Sequence, residues 1–207
     1  NYNYSSGSRG KFNISSQSNP YFLFPELYNF RYNIYSSEWP VTNRLVELYL
    51  QRKSDNNGWE REINGISNNE KANLLMERYS FKELLSDVEH RDLLNNTISL
   101  KGYCLFAPAE VNMGVSLFRD SLYALLERNE FRNMRFENLL DTLEMISGAD
   151  IRAGISGWDR PTPLPFYTIG QPEVTKITNK GQESFVLKQL VSNNSDNDGM
   201  LQLNIQI

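Results

Sequence analysis

The last seven residues of the chain alternate strictly between apolar and polar side chains. The apolar positions are Leu201, Leu203, Ile205 and Ile207, with a glutamine or asparagine between each neighbouring two. This two-residue period predicts a β-strand over 200–207 with one apolar face. Because no charged tail protects it, such a strand must bury that face and an edge, on the rest of this chain or on a neighbouring one. We therefore expect these four side chains to make assembly contacts.

The other end of the chain has the composition of a flexible arm. Residues 1–20 are rich in serine, asparagine and glycine, and their only aromatic side chains are Tyr2, Tyr4 and Phe12. Such a segment has no core of its own and gains order by lying on another protein surface. We expect the three aromatic residues to contact a neighbouring subunit.

The middle of the chain, about 40–148, carries helical signals. Apolar residues at helical spacing predict helices over about 40–53, from Ser67, from Ser80, over 112–129 and over 130–147. Ser67 and Ser80 are each followed three residues later by glutamate, which is a capping-box pattern. Gly148 is placed to end the last helix in a left-handed conformation.

Strand patterns flank this helical middle. We predict strands over 27–35, 173–178, 183–191 and 200–207. The proline- and glycine-rich residues 149–172 predict an extended segment before the last three strands. We expect the 27–35 strand to join a C-terminal antiparallel β-meander in one sheet. The predicted fold is a single α+β domain over 21–207, preceded by the arm.

Composition excludes several classes of function. A net charge of −4 and a pI near 5.2 argue against nucleic-acid binding through a general basic field. One cysteine, Cys104, and one histidine, His90, cannot build a disulfide framework or a cysteine- or histidine-based zinc site. No apolar run reaches the roughly 20 residues of a membrane span. No phosphate-binding, dinucleotide-binding or hydrolase motif is present. We therefore predict no cofactor and no metal.

One loop has the composition of a binding site. Trp158, Asp159 and Arg160 place an aromatic ring, an acid and a base beside rigid prolines. The aromatic-rich segment 21–39 is a second surface that could bind a ligand. Structural packing is the favoured interpretation of both features.

Three carboxylates share one predicted helix face. Glu137, Asp141 and Glu144 are spaced by four and three residues, opposite the leucine-rich side of their helix. Paired carboxylates perform general acid–base catalysis when one of them is desolvated. A solvated helix face is the favoured interpretation.

Three functions remain open at this point. We favour a non-enzymatic structural subunit of a large multi-protein assembly, most concretely a virion or phage tail or connector component that binds other subunits, copies of itself included. Asparagine, about 24 of the 207 residues, is compatible with a low-GC genome of that origin. The alternatives are an extracellular or cell-surface binding module and a carboxylate-dependent hydrolase. The location would be the virion for an assembly subunit and secreted or cytoplasmic otherwise.

Overall fold

The computed structural model describes residues 32–51, 58–165, 167–179, 182–195, 197, 199 and 201. The α-helices in these ranges are α1 (Thr42–Gln51), α2 (Gly58–Asn64), α3 (Asn68–Leu75), α4 (Phe81–Ser86), α5 (Leu94–Met113), α6 (Val115–Arg128) and α7 (Phe136–Ser147). The strands are β1 (Asn33–Tyr35), β2 (Asn133–Arg135), β3 (Tyr167–Ile169), β4 (Glu173–Asn179), β5 (Gln182–Lys188) and β6 (Val191–Asn193). This arrangement confirms the predicted α+β class, with a helical middle and antiparallel strands near the C-terminus. No helix in the described ranges is long and apolar enough to be a membrane span.

The longest helix, α5, lies at the centre of the core. Its buried side chains include Ile98, Leu105 and Phe106, and it packs against α1, α3, α6 and α7. Gly102 brings α5 close to α1, because a Cβ atom at this position would lie 3.0 Å from the Cγ of Leu45. No helix was predicted over most of residues 94–113, so the presence of α5 is a correction to the predicted helices.

Both predicted capping boxes are present. The hydroxyl of Ser67 accepts the Glu70 N–H, and a Glu70 carboxylate oxygen accepts the Ser67 N–H at 2.8 Å. Ser80 and Glu83 make the same exchange. Hydrogen bonds from Arg61 and then from Ser67 lower the pKa of Glu70 to about 2. The two boxes set the first residues of α3 and α4.

Two helix boundaries differ from the prediction. The helix expected over 112–129 is interrupted by Gly114, whose φ of 85° ends α5 before α6 begins at Val115. The helix expected over 130–147 begins only at Phe136, because the three residues before it form β2. Its predicted end is confirmed, since Gly148 has a left-handed φ of 65°.

The first strand has a different partner from the one expected. β1 pairs in parallel with β2, with Ile34 opposite Met134, and not with the C-terminal strands. The start of α1 satisfies the backbone of Ile34: its N–H donates to Asn43 Oδ1 at 2.6 Å, and its carbonyl accepts the Thr42 hydroxyl at 2.8 Å. β2 occupies one edge of β1, and the start of α1 bonds the backbone of Ile34 on the other. β1 therefore has no open edge with which to join the C-terminal strands. Residues 27–31 of the predicted strand lie outside the described residues.

Candidate assembly surface

The segment that leads into the C-terminal strands is fixed to the helical core by a tryptophan. The ring of Trp158 is 1 % exposed and packs edge-on against Trp39 and Phe81, with centroid separations of 5.0 and 4.9 Å. Its backbone carbonyl accepts the Lys82 N–H at 3.2 Å. A buried aromatic contact of this kind contributes several kcal/mol, so residues 157–165 form an anchor on α4 and its neighbours. We call these residues the anchor segment.

Side chains from two more helices bind the same segment. Lys101 on α5 donates from Nζ to the carbonyl oxygen of Thr162 at 2.9 Å. Asn73 on α3 accepts the N–H of Leu164 at 2.7 Å. Asn197, beyond β6, donates to the carbonyl of Pro163 at 3.0 Å, which ties the chain that leaves the strands to the chain that enters them. The base of the C-terminal strands is therefore held from several directions.

Lys101 is the most strongly perturbed titratable group of this region. Its side chain is buried, with 4 % exposed, and Thr162 supplies the hydrogen-bond acceptor for its ammonium group. Removal from water lowers the pKa of Lys101 from 10.5 to about 8, against a smaller opposing effect of Cys104. The burial makes the contact between α5 and the anchor segment sensitive to the charge of one amine.

The four C-terminal strands form two antiparallel pairs, which follow each other along the same two chain segments. β3 pairs with β6, with Tyr167 opposite Asn193, and β4 pairs with β5, with Val174 opposite Leu187. The N–H of Gly170 donates to the carbonyl of Leu190 at 3.0 Å and connects the two paired regions. We call β3 to β6 the ribbon.

A β-bulge interrupts the ribbon. Three residues separate Ile169 from Glu173 on the first strand, whereas two separate Lys188 from Val191 on the returning strand. One strand therefore carries an extra residue, which bends the ribbon and increases its twist. Pro172 lies in this interruption, where its missing N–H costs the ladder nothing.

The ribbon leaves large apolar side chains at the surface on both faces. Val174 and Leu187 lie opposite each other on one face, while Val186 lies on the other because successive side chains alternate. The exposed apolar residues of the ribbon are Ile169, Val174, Ile177, Phe185, Val186, Leu187, Leu190 and Val191. Val174 is 63 % and Leu190 74 % exposed. An antiparallel sheet usually packs one face on a core, and among the described residues neither face of this ribbon is covered in that way.

On β5 the charged residues lie near the two ends of the strand, whereas β4 also carries Lys176 at its centre, opposite Phe185. Lys176 lies 2.6 Å from Glu183 towards the connecting residues, and Lys188 lies 3.8 Å from Glu173 towards the bulge. On β5 the stretch between the two charged residues contains only Ser184 and the apolar residues 185–187. Edge strands are normally protected by charges along their length, and this one is not.

Each strand of the hairpin also has a free side. In the part of the chain that the structure describes, β4 and β5 pair with each other and with no third strand. An edge of this kind presents a row of backbone N–H and C=O groups for pairing with another strand. The ribbon therefore combines apolar side chains with an unused hydrogen-bonding edge.

The residues predicted from the terminal patterns are largely outside the described ranges. Leu201 is described and is 39 % exposed. The predicted contacts of Tyr2, Tyr4, Phe12, Leu203, Ile205 and Ile207 fall on residues outside the described ranges. Their participation in an assembly stays a prediction.

The predicted binding loop is divided between the core and the surface. Trp158 lies in the core, while Asp159 and Arg160 are exposed. The backbone of the loop is folded on itself, since Thr162 Oγ1 donates to the carbonyl oxygens of Gly157 and Arg160 at 3.0 and 3.1 Å. The loop positions the anchor segment. Ligand binding by it stays a prediction, for which Trp158 offers no exposed ring.

Two of the three α7 carboxylates, those of Asp141 and Glu144, bind an arginine, while the carboxylate of Glu137 accepts from Arg135 Nε at 3.2 Å. Arg152 donates to Asp141 and to the backbone carbonyl of Glu137, and its own N–H donates to Glu144 Oε1 at 2.8 Å. The hydrogen bond that Arg152 donates to Asp141, together with the surrounding negative charge, raises the pKa of Arg152. This network connects the 3₁₀ helix Arg152–Ile155 to α7 on an exposed surface. These ion pairs give the carboxylates a structural role that requires no catalytic reaction. Hydrolysis by these carboxylates stays a prediction.

The single histidine has a local partner. His90 Nδ1 lies 2.6 Å from Asp87 Oδ2, and this contact raises the pKa of His90. The ring lies beside Tyr79, with centroids 5.7 Å apart. Within the described ranges, no three metal-ligating side chains come together.

Two parts of this surface were not predicted from the sequence: the contact of Lys101 with the anchor segment, and the exposure of the ribbon. Strand patterns predicted β4 and β5, but no short-range pattern indicates a lysine that bonds a carbonyl 61 residues away. A signal for the exposed ribbon was available in Phe185-Val186-Leu187. Three consecutive apolar residues in a strand place apolar side chains on both faces, so both faces require cover.

Comparisons of the chain with protein-family models, with curated proteins and with solved structures find no match.

Proposed function

We propose that this chain is a non-enzymatic structural subunit of a large multi-protein assembly, and that the ribbon is the surface by which it binds neighbouring subunits. The carrying observation is a ribbon with exposed apolar side chains on both faces, whose edges pair with no further strand in the part of the chain that the structure describes. In its most concrete form, the proposal is a virion or phage tail or connector component that binds copies of itself.

The free energy of burial supports this function. A fully buried valine, leucine, isoleucine or phenylalanine contributes about 1.5–3 kcal/mol, so burying the rest of a half-exposed one contributes about 1 kcal/mol. The eight such residues of the ribbon supply several kcal/mol to a partner. An isolated two-stranded ribbon is marginal in water, so a third strand or a covering surface also stabilises the ribbon itself.

The anchor segment supports the same function. Trp158, Lys101 and Asn73 hold the base of the ribbon on three helices, so a partner meets an edge that is already positioned. Positioning before binding reduces the conformational entropy that association must overcome.

The experiment is a measurement of mass in solution over a wide concentration series, by light scattering and sedimentation. The wild-type chain is expected to exceed its monomer mass of 24.0 kDa with increasing concentration. The test variant carries Phe185→Lys and Val186→Lys, one charge on each face of β5. The matched control carries Leu74→Lys and Met145→Lys, two exposed apolar positions on α3 and α7.

The two variants separate the ribbon from general surface hydrophobicity. The ribbon variant is expected to stay monomeric with an unchanged circular dichroism spectrum, and the control to associate as the wild type does. A wild-type mass of 24.0 kDa at every concentration would refute self-assembly. Equal association of the ribbon variant and the wild type would refute the ribbon as the contact.

A further inference from the structure

We infer that the partner of β5 is the β5 strand of a second copy, paired antiparallel about a two-fold axis at Val186, so that two ribbons form one four-stranded sheet. This inference rests on the proposed function and names the partner and the register. It follows from the order of residues along the free edge of β5.

Two-fold symmetry restricts the possible registers. An antiparallel pair of identical strands has its axis perpendicular to the sheet, so one residue of the strand must face its own counterpart. A register shifted by one residue would place each side chain opposite a residue of the other face, which the pleat forbids. Each candidate register is therefore named by the residue that lies on the axis.

Only one register matches the side chains of β5. With Val186 on the axis, Phe185 faces Leu187 of the second copy, and Ser184 faces its Lys188. With Phe185 on the axis, Glu183 would instead face Leu187, and with Leu187 on the axis, Lys188 would face Val186. Charged residues opposite apolar ones lose hydration without a partner. The Val186 register pairs apolar residues with apolar residues and sets no like charges opposite each other.

The same register joins the apolar surfaces of the two ribbons. On one face, Val174 lies opposite Leu187 within a ribbon, and Leu187 would lie opposite Phe185 of the second copy. These three residues from each copy form a continuous row-by-row patch of six side chains. Lys176 lies opposite Phe185 on β4, at the outer margin of this patch, where its ammonium group pairs with Glu183, and the pair Lys188–Glu173 lies on the other face.

The edge of β4 is a poorer partner. With Lys176 on the axis, two ammonium groups would face each other, and with Thr175 on the axis, Lys176 would face Val174. With Ile177 on the axis, the charges are tolerated but only one apolar residue meets its counterpart. Cross-strand apolar pairs contribute roughly 0.2–1 kcal/mol each, so β5 has the advantage.

Disulfide cross-linking tests the register directly. In a Cys104→Ser background, Val186→Cys is expected to form a covalent dimer of twice the 24.0 kDa chain under mild oxidation. Residues that face each other across antiparallel strands have Cα atoms about 4.5–5.5 Å apart, within the range of a disulfide. Ser184→Cys is the matched control, because its counterpart would be about 14 Å away along the strand and no dimer is expected.

A second variant protects the test against an unfavourable disulfide geometry at the axis. Phe185→Cys combined with Leu187→Cys is expected to cross-link because these residues face each other between copies, whereas Phe185→Cys alone is not. Cross-linking through Ile177→Cys in place of Val186→Cys would assign the contact to β4 and overturn this inference. Absence of cross-linking from both β5 variants, while the wild type still associates through the ribbon, would also overturn it and leave the proposed function standing. A wild-type chain that does not associate at all would refute both this inference and the proposed self-assembly.

Discussion

The stability of this protein should depend on the charge of Lys101. Lys101 Nζ donates to Thr162 O at 2.9 Å inside the contact between α5 and the anchor segment, and its side chain is 4 % exposed. Burial lowers its pKa from 10.5 to about 8. The perturbation we consider is a rise in pH from about 7 to about 9.5, applied to the wild type and to Lys101→Met.

The sign and size follow from the two pKa values. Between about pH 8 and about pH 10.5 the unfolded chain still holds the proton that the folded chain has released, so raising the pH stabilises the fold. A pKa difference of this size corresponds to about 3 kcal/mol in total. Between about pH 7 and about pH 9.5 the wild type should gain about 2 kcal/mol in unfolding free energy relative to Lys101→Met.

The assay is urea unfolding at matched pH values, followed by tryptophan fluorescence because Trp158 lies next to the contact. Both proteins should carry Cys104→Ser, since Cys104 also affects the pKa of Lys101. The difference between the two unfolding free energies isolates Lys101, because the other titrating groups are common to both proteins. Curves that stay parallel across this pH range would refute the assignment of a buried, charge-sensitive amine.

Two further predictions concern the anchor segment and a helix end. Trp158→Ala should lower the unfolding free energy by about 3–5 kcal/mol in thermal or urea unfolding, because the ring is buried against two aromatic residues. The control Asp159→Ala, at an exposed position, should change it by less than about 0.5 kcal/mol. Similar losses in the two variants would contradict the core position of Trp158. Gly148→Ala should lower the unfolding free energy by about 1 kcal/mol, because the left-handed φ of 65° strains a residue with a side chain, although no atom lies within 4 Å of the added Cβ. Gly148→Asn should lower it by less, because asparagine tolerates that conformation. Equal losses in the two variants would argue against backbone strain.

Local signals in the sequence were sufficient for several elements. The Ser67 and Ser80 capping boxes and the Gly148 stop depend on contacts within a few residues, and the structure confirms all three. The strand pattern over 173–178 also predicted β4 closely, whereas the strand predicted over 183–191 is divided between β5, which ends at Lys188, and β6, which begins at Val191. These features could be predicted because short-range hydrogen bonding and backbone preference decide them.

The central helix α5 shows why other parts could not be predicted. Its buried positions recur at helical spacing, but polar residues or glycine occupy four of them: Thr97, Lys101, Gly102 and Glu110. Lys101 and Glu110 are satisfied by partners that tertiary structure supplies, such as Tyr49, whose hydroxyl donates to Glu110 at 2.7 Å, while Thr97 donates to the carbonyl of Leu93, four residues earlier. Hydrophobic periodicity cannot detect a helix whose buried face is made compatible with burial by other elements.

The ribbon shows the converse case, in which an apolar sequence pattern is present but the expected burial is not. Phe185-Val186-Leu187 is typical of a strand covered on both faces, yet the described chain leaves all three exposed. The sequence specifies that these side chains need cover, and only the structure shows that α1 to α7 do not supply it. Contacts of Lys101, Asn73 and Trp158 fix the base of the ribbon on the helical core. They hold the apolar strand β5 in place without burying it. Under the proposed function, we expect this ribbon to be folded before it associates, and the pairing of β5 with a second strand to add to its stability.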